Sequence, residues 1–353
     1  MAARLRRSDC SGPGLRRIKR GRGFSYLDPH GERVHDADAL GRIADLAIPP
    51  AWQEVWICTD PWGHLQATGI DASGRKQYLY HPRWRERRDR EKFRRMVRFA
   101  ESLPRLRRRL AKELRGEEAT RERVLAGALR LLDVGLFRVG SEEYAEEDHG
   151  VGLATVRKDH VRVQGGKVIF DYPAKGGFQR IHVINDPLSH DLVCTLKRRR
   201  GGGDELLRYR QGRTWRPLRA EDINDYLKAL MGVEFSAKDF RTWNATVLAS
   251  VSLAIDGVHA ESSRSRKRAI NGAVRGVAEM LGNTPAVARR SYIDPRVFDR
   301  YLSGWTIAGA LRRSDLDPVN EAGRARLERA VIDLLEDEED SPALERFAKP
   351  VAA

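Results

Sequence analysis

The first third of the chain alternates between apolar and polar residues, a pattern typical of half-buried β-strands. The clearest case is the pair of segments 64–70 and 75–80, which the turn-forming residues 71–74 separate. A shorter strand is predicted over residues 56–59, where tryptophans crowd with branched aliphatic residues. The N-terminal part is therefore predicted to be β-rich.

The middle of the chain changes to the spacing of helices. In residues 83–115 apolar side chains recur every three or four positions among many arginines, which predicts two amphipathic helices, the second beginning at Pro104. Residues 120–137 predict another such helix.

A β section follows these helices. Strands over 159–163 and 167–172 flank Gln164-Gly-Gly166, and a further strand over 178–184 follows a glycine-containing connection. Lys175 is therefore expected at the tip of a hairpin. The chain beyond residue 186 is predicted to be mainly helical, with no internal repeat.

These patterns predict an α+β protein. They divide the chain into a basic disordered arm over residues 1–20, a β-rich N-terminal domain over 21–85, a mainly helical catalytic domain with a small antiparallel sheet over 86–312, and a C-terminal helix with a solvated acidic tail over 313–353. A hinge is expected near residues 82–92.

Among the features of the composition, only the net charge indicates a class of partner. The chain carries 65 Lys and Arg against 50 Asp and Glu, a formal net charge of +15. This surplus favours a polyanion, with nucleic acid first. Charge alone does not exclude the alternative, a basic protein without a polyanionic partner.

Other features exclude several classes of protein. The three cysteines at 10, 58 and 194 are isolated, which argues against a CxxC zinc site or a disulfide framework and favours a reducing, cytoplasmic compartment. No apolar run approaches the length of a membrane span, and the Arg-rich N-terminus lacks the apolar core of a secretory signal. The glycines at 201–203 lack the Lys-Ser/Thr of a nucleotide phosphate loop, so no ATP site is expected.

Four short segments together suggest chemistry on a phosphodiester. They are Arg138-Val-Gly, Tyr172-Pro-Ala-Lys175-Gly-Gly, Lys238-Asp-Phe-Arg241-Thr, and Leu281-Gly-Asn283-Thr-Pro followed by Arg-Arg-Ser-Tyr292.

Each residue type in these segments suits one part of such a reaction. Arginine is always protonated and its fork matches two phosphate oxygens, so it can stabilise the transition state without a metal. Tyrosine can be the nucleophile and lysine can protonate an alkoxide leaving group. Taken alone, each residue is more often a surface ion-pair partner, a solvated turn residue or a half-buried aromatic. Only the ordered set favours catalysis.

The set resembles the active site of type IB DNA topoisomerases, in the small form shared by poxviruses and some bacteria. That family has an arginine before Val/Ile-Gly, a hairpin lysine, an arginine before threonine, a histidine before Thr-Pro and a tyrosine nine residues later. Arg138, Lys175, Arg241 and Tyr292 match, whereas Asn283 stands in the place of the histidine. The likeness spans about residues 20–312, and leaves out the arm and the tail.

The resemblance implies a two-domain clamp around duplex DNA. Tyr292 would form a 3′-phosphotyrosyl link, Arg138, Arg241 and Asn283 would hold the phosphate oxygens, and Lys175 would protonate the leaving 5′ oxygen. Religation after strand rotation would relax supercoils without ATP, metal or any other cofactor. A monomer in the cytoplasm, associated with the nucleoid, is expected.

The same resemblance assigns DNA contacts to the N-terminal domain. Residues 74–80 are similar to a family segment that touches bases and backbone, which implies that Gln77, Tyr78 and Tyr80 contact DNA. For the neighbouring Leu79, strand alternation leaves a core position equally open.

Two other functions compete with this one. A tyrosine recombinase has a similar catalytic half, but its second arginine usually lies in His-x-x-Arg, and Lys238 occupies that position here. The Trp-rich β domain also differs from the helical domain of recombinases. A DNA-binding relative without activity is the third possibility, against which the intact Tyr292 and both arginines count.

Overall fold

A computed structural model describes residues 4–140, 150–174, 177–312 and 321–348. It is α+β, as predicted, and it divides into two compact units, Met1–Arg94 and Arg95–Ala353. Strands dominate the first unit and helices the second. No helix among these residues is long and apolar enough to cross a membrane.

The first unit is built on a five-stranded antiparallel sheet. Its strands are β1 (Leu15–Arg20), β2 (Gly23–Leu27), β3 (Gln53–Ile57), β4 (Leu65–Ile70) and β5 (Lys76–Tyr80), in the spatial order β2-β1-β3-β4-β5. A short helix, α1 (Ala37–Asp45), lies between β2 and β3, and the sequence patterns did not predict it. Asp36 caps this helix by accepting from the backbone of Ala39 at 2.9 Å.

Strand pairing sorts the side chains of this sheet into two faces. Leu15, Ile57, Ala67 and Leu79 are successive cross-strand partners, and α1 packs Ile43 into the same apolar cluster. The adjacent row runs Leu27, Arg16, Trp56, Thr68 and Tyr78, and alternation directs it to the opposite face. The core position considered for Leu79 is therefore the observed one.

The basic arm differs from the prediction of disorder over residues 1–20. Residues 15–20 form strand β1, which pairs with both β2 and β3. Further upstream, Arg6 pairs with the β3–β4 connection, because its backbone donates to Trp62 O at 2.9 Å and accepts from His64 N at 2.8 Å. The physical reason is that Leu15 is buried in the apolar row. The free energy of that burial offsets the entropy lost when the neighbouring arginines are ordered.

Helix α2 (Pro82–Leu114) contains the division between the two units. The prediction of two helices, the second beginning at Pro104, is wrong, because Pro104 lies inside one continuous helix. Proline removes one backbone hydrogen bond and costs about 3 kcal/mol in a helix interior. Buried residues on both sides, Phe99, Leu103 and Leu106, offset that cost by packing.

The second unit surrounds a buried central helix. Its helices are α3 (Arg121–Gly135), α4 (Pro187–Arg198), α5 (Ala220–Met231), α6 (Ala237–Ile255), α7 (Ser263–Leu281), α8 (Pro285–Ser291), α9 (Pro295–Leu302), α10 (Ala308–Leu311) and α11 (Glu321–Leu335). Helix α6 packs against α3, α5, α7, α9, α10 and α11. Its buried residues lie on all sides, as expected for a helix inside a domain.

Three small sheets complete this unit. The predicted hairpins are present as β6 (Val161–Gln164), β7 (Lys167–Pro173) and β8 (Gln179–Ile184), paired in that order. A second hairpin, β9 (Arg208–Gln211) with β10 (Thr214–Pro217), was not predicted within the mainly helical region. Finally, β11 (Trp305–Thr306) pairs with β12 (Glu345–Arg346).

The acidic run 336–340 is exposed, as predicted, but the chain on both sides of it forms regular structure. Helix α11 agrees with the predicted C-terminal helix, but the chain then returns to β11 through β12. Phe347 stacks on Tyr301 of α9 with ring centroids 5.2 Å apart, and Phe347 N donates to Gly304 O at 2.9 Å. Asp337 and Glu339 of the acidic run both pair with Arg300. Aromatic packing and ion pairs therefore hold this part of the chain in place while its acidic side chains stay exposed.

A buried ionic network ties α11 to the interior. Arg107 of α2 is 2% exposed and donates to Asp133 of α3 at 2.9 and 3.0 Å and to both oxygens of Glu328 of α11 at 2.7 Å. Burial alone would raise the pKa of Asp133, but the charges of Arg324 and Arg107 outweigh it and hold that pKa below its usual range. Asp133 thus stays ionised in the core.

Arg107→Leu should lower the free energy of unfolding by about 3–5 kcal/mol, because Asp133 and Glu328 would lose their shared cation while buried. Urea unfolding followed by circular dichroism at neutral pH measures the change. The matched control is Lys228→Leu, which removes an exposed ion pair with Asp225 and should unfold almost as the parent does. Equal losses in the two variants would contradict the network's importance.

The difference between parent and Arg107→Leu should depend on pH with a definite sign. A carboxyl with a depressed pKa in the fold stabilises above its ordinary pKa of about 4, and the contribution is lost as pH falls. The gap in stability should therefore narrow below about pH 4.

Candidate active site

The turn between helices α7 and α8 places Asn283. Gly282 adopts φ +62°, a left-handed conformation that glycine takes without strain, and its N–H donates to Glu279 O at 3.1 Å. Asn283 N donates to Ala278 O at 2.9 Å, which completes a Schellman motif at the end of α7. Thr284 then caps α8 by accepting from Val287 N at 3.3 Å. The Leu-Gly-Asn-Thr-Pro segment thus ends one helix and begins the next.

Arg138 follows the C-terminal end of α3. Its backbone is held on both sides, because Arg138 O accepts from Leu153 N at 2.8 Å and Val139 O from Ala154 N at 2.7 Å. At the next residue the chain crosses Gly152 so closely that a Cβ on Gly140 would lie 2.7 Å from the Gly152 Cα. The Arg-Val-Gly motif therefore needs its glycine for this crossing.

Arg241 lies on α6, whose first turn is capped by Asp239: Ser236 N donates to Asp239 Oδ2 at 2.8 Å. The Arg241 side chain is 4% exposed and donates to Leu136 O and, at 2.8 Å, to Leu281 O. Burial lowers the pKa of this guanidinium to about 10, which leaves it charged at neutral pH.

Tyr292 ends helix α8 and its ring lies against two cations. The Arg241 Cζ is 5.3 Å from the ring centroid and the Lys238 Nζ is 5.6 Å from it. Burial would raise the pKa of the Tyr292 phenol, but the charges of Arg241 and Lys238 outweigh it, so the pKa is lowered from its usual value. The arrangement eases loss of the phenolic proton.

Sequence reasoning treated Lys238 only as a departure from the recombinase motif. Lys238 and Arg241 are three residues apart on α6, and this spacing puts both on one helix face. This spacing in the sequence could have indicated that Lys238 lies near Arg241 at the site.

Three arginines converge on the carbonyl groups that end α7. Arg180 Nη1 donates to Glu279 O at 2.7 Å and its Nη2 to Met280 O, Arg241 donates to Leu281 O, and Arg138 Nη2 donates to Gly282 O at 3.0 Å. The last carbonyls of a helix lack partners within it and carry partial negative charge. The helix end thus gathers cations from three separate elements.

Asn283 makes one polar contact and offers a second. Its Oδ1 accepts from Arg138 Nη2 at 2.5 Å, and its Nδ2 is buried without a partner among the described residues. The amide therefore orients Arg138 and keeps a donor for a ligand.

A cavity of about 430 Å³ adjoins these groups. Besides Arg138, Arg241 and Asn283, its lining includes Tyr172, Arg180 and His182, none of which was predicted to belong to the site. Burial and the charges of Arg180 and Arg241 lower the pKa of His182 to about 4, so it is neutral at physiological pH. Tyr172 of β7 pairs with Arg180 of β8, and His182 lies two residues after Arg180. The sequence indicates that the three belong together only once the pairing of these strands is known.

Lys175 lies outside the described residues. The two strands on either side of it, β7 and β8, are paired from Val168 with Ile184 to Pro173 with Gln179.

The predicted DNA contacts of the first unit divide between the two faces of β5. Gln77 shares its face with Leu79, and its Nε2 donates to Asp71 Oδ2 at 2.8 Å. Tyr78 is 45% exposed and stacks with Tyr80 on the other face, with ring centroids 6.2 Å apart. The tyrosines are available to a ligand, whereas Gln77 is engaged in its own turn.

Within the ranges described, no group of three His, Cys, Asp or Glu side chains is placed to hold a metal ion. The cavity is instead lined by guanidinium and amide groups, which suit an anionic ligand.

Two protein-family models match the chain. Residues 81–303 match the family model "Eukaryotic DNA topoisomerase I, catalytic core", and residues 23–71 match "Bacterial DNA topoisomerase IB, N-terminal domain". Both models describe topoisomerases, which disfavours the recombinase alternative.

Individual relatives agree over most of the chain. DNA topoisomerase 1B of Acanthamoeba polyphaga mimivirus is 31% identical over 289 residues, covering 79% of this chain and 85% of the relative. DNA topoisomerase 1B of vaccinia virus (strain Copenhagen) is 21% identical over 291 residues, with 78% and 85% covered. DNA topoisomerase 1 of Candida albicans is 26% identical over 260 residues, 71% of this chain and 32% of the relative. From the two family models and the viral relative, the chain belongs to the type IB DNA topoisomerases, a family of isomerases.

Proposed function

We propose that this protein relaxes supercoiled duplex DNA by cutting one strand through Tyr292 and resealing it. The observation that carries the proposal is that the Tyr292 ring lies against Lys238 and Arg241, and that Arg241 lines a cavity together with Arg138 and Asn283. A nucleophile whose pKa is lowered by cations next to an anion-binding cavity suits attack on a phosphodiester.

In this proposal the arginines stabilise charge on the phosphate. Arg138 and Arg241 each bring a permanent charge, and the free Nδ2 of Asn283 donates one neutral hydrogen bond. Arg241 can keep its charge while buried because the carbonyls of Leu136 and Leu281 accept from its two Nη atoms, whereas its Nε has no acceptor among the described residues. Such preorganised donors need little rearrangement during the reaction.

The remaining steps conserve the number of phosphoester bonds. The phenolate attacks phosphorus, the 5′ oxygen leaves with a proton from Lys175, and a 3′-phosphotyrosyl ester forms. The freed end rotates, the 5′ hydroxyl attacks the ester, and Tyr292 is released. The ester retains the energy of the broken bond, so neither ATP nor a metal is required. Tyr78 and Tyr80 are proposed to contact the duplex from the first unit.

Relaxation of supercoiled plasmid with a chelator present and no nucleotide tests the function. We expect relaxed topoisomers from the parent, and from Tyr292→Phe neither relaxation nor a covalent adduct, because only the phenolic oxygen is lost. Binding of duplex DNA by Tyr292→Phe should persist in a mobility-shift assay. Strict dependence on Mg²⁺ or ATP, or an adduct in the variant, would refute the mechanism.

Lys175→Ala should cleave ordinary DNA slowly and a substrate with sulfur at the bridging 5′ position at nearly the parent's rate. A thiolate leaves without needing a proton, so general acid catalysis becomes dispensable. Single-turnover cleavage of the two substrates measures the rescue. The control is Lys167→Ala, an exposed lysine at the start of β7, which should behave as the parent on both. Without rescue by sulfur, Lys175 is not the acid.

Asn283→Ala should slow single-turnover cleavage, at most about 10²–10³-fold, the effect of losing one stabilising donor. Asn283→His should keep activity and gain most below about pH 6.5, where the imidazolium adds positive charge near the phosphate. Rates across pH 5 to 9 measure both effects. Asn271→Ala, on the exposed surface of α7, is the control. If Asn283→Ala cleaves like the parent, the match at this position is accidental.

A further inference from the structure

Tyr172 is a second tyrosine at the catalytic cavity and has no part in the mechanism above. It lies on β7 directly opposite Arg180 of β8, and it lines the cavity together with Arg138, Arg241 and Asn283. Only 4% of the residue is exposed. A buried phenol among phosphate-binding groups calls for a role that an apolar ring would not fulfil.

Two aromatic rings, which also contact each other, pack against the ring of Tyr172. Phe137 stacks on it with centroids 6.3 Å apart and planes at 20°, and His182 stacks with centroids 5.9 Å apart and planes at 17°. Phe137 itself is 1% exposed and follows the end of α3, one residue before Arg138. Packing therefore holds the phenol in one position relative to the catalytic arginine.

The hydroxyl of Tyr172 is a donor without a protein acceptor. Burial raises its pKa to about 12, although the charges of Arg180, Arg241 and Arg138 oppose the shift, so the hydroxyl stays protonated. It makes no hydrogen bond to any residue in the part of the chain that the structure describes. The surrounding guanidinium groups are donors themselves and accept nothing. An anionic ligand would supply the missing acceptor.

We propose that the Tyr172 hydroxyl donates a hydrogen bond to a non-bridging oxygen of the scissile phosphate during cleavage and religation. This rests on the proposed function, and adds a fourth phosphate-binding group to Arg138, Arg241 and Asn283. Tyr172 supplies a neutral donor where a further cation would be repelled by three guanidinium groups. The bond strengthens as negative charge develops on that oxygen.

Tyr172→Phe tests the hydroxyl alone, because the ring and its two stacking contacts remain. Single-turnover cleavage of a defined duplex should slow by about 10²-fold, with DNA affinity and melting temperature unchanged. The matched control is Tyr226→Phe. It removes a half-buried hydroxyl that donates to Glu113 outside the cavity, and should cleave like the parent. Unchanged cleavage in Tyr172→Phe would overturn the proposal.

Methylphosphonate substrates separate contact with the phosphate from a merely structural effect. Each diastereomer replaces one non-bridging oxygen by a methyl group. In the diastereomer that lacks the oxygen bound by Tyr172, parent and Tyr172→Phe should cleave at equal rates. In the other, the full slowing should persist. An equal slowing on both diastereomers and on the ordinary phosphate would show that the hydroxyl acts only through its neighbours, and the proposal would be wrong.

The same experiment keeps this inference distinct from the proposed function. Adduct formation by the parent on ordinary DNA reports on Tyr292 whatever Tyr172 does. A parent that forms no adduct refutes the proposed function, whereas a parent that reacts while Tyr172→Phe reacts equally refutes only the role of Tyr172.

Discussion

The carbonyl groups at the C-terminal end of helix α7 organise the catalytic unit. Four consecutive carbonyls, from Glu279 to Gly282, accept hydrogen bonds from Arg180, Arg241 and Arg138. A helix end needs such donors, and its partial negative charge favours cations. Because the three arginines come from β8, α6 and the segment after α3, satisfying one helix end brings three distant parts of the sequence together. The cavity that suits a phosphate results from this requirement of the backbone.

The same constraint explains why the arginines can stay charged without DNA. A buried guanidinium without partners is costly, but two carbonyls inside the protein accept from the Nη atoms of Arg241, while its Nε has no acceptor among the described residues. Tyr292 lies against that charge and that of Lys238, which lowers its pKa. Stability and reactivity are therefore coupled at this site: the contacts that offset burial of Arg241 also hold it where it can activate the tyrosine.

The segment beyond the catalytic-core match, which ends at residue 303, belongs to the same structure. Glu328 shares the buried Arg107 with Asp133, and Arg296 of α9, four residues after Tyr292, donates to Leu335 O at 3.3 Å and holds Asp294. Strand β12 pairs with β11, and β11 follows α9 along the chain. The C-terminal residues thus support the helix that follows Tyr292, and their acidic side chains form ion pairs with it.

The sequence by itself determined the α+β class, helix α3, the sheet of β6, β7 and β8, and the mainly helical character of the chain beyond it, because periodicity and turn residues are local properties. It also indicated Arg138, Arg241, Asn283 and Tyr292, since each lies in a recognisable segment. Only the tertiary structure decided that Arg180 and Tyr172 join them, because strand pairing and the end of α7 set that proximity over about a hundred residues of separation. The order of the N-terminal arm and of the C-terminal segment had the same origin. Leu15 and Phe347 gain their packing partners from distant elements, and no local pattern of charge could reveal those partners.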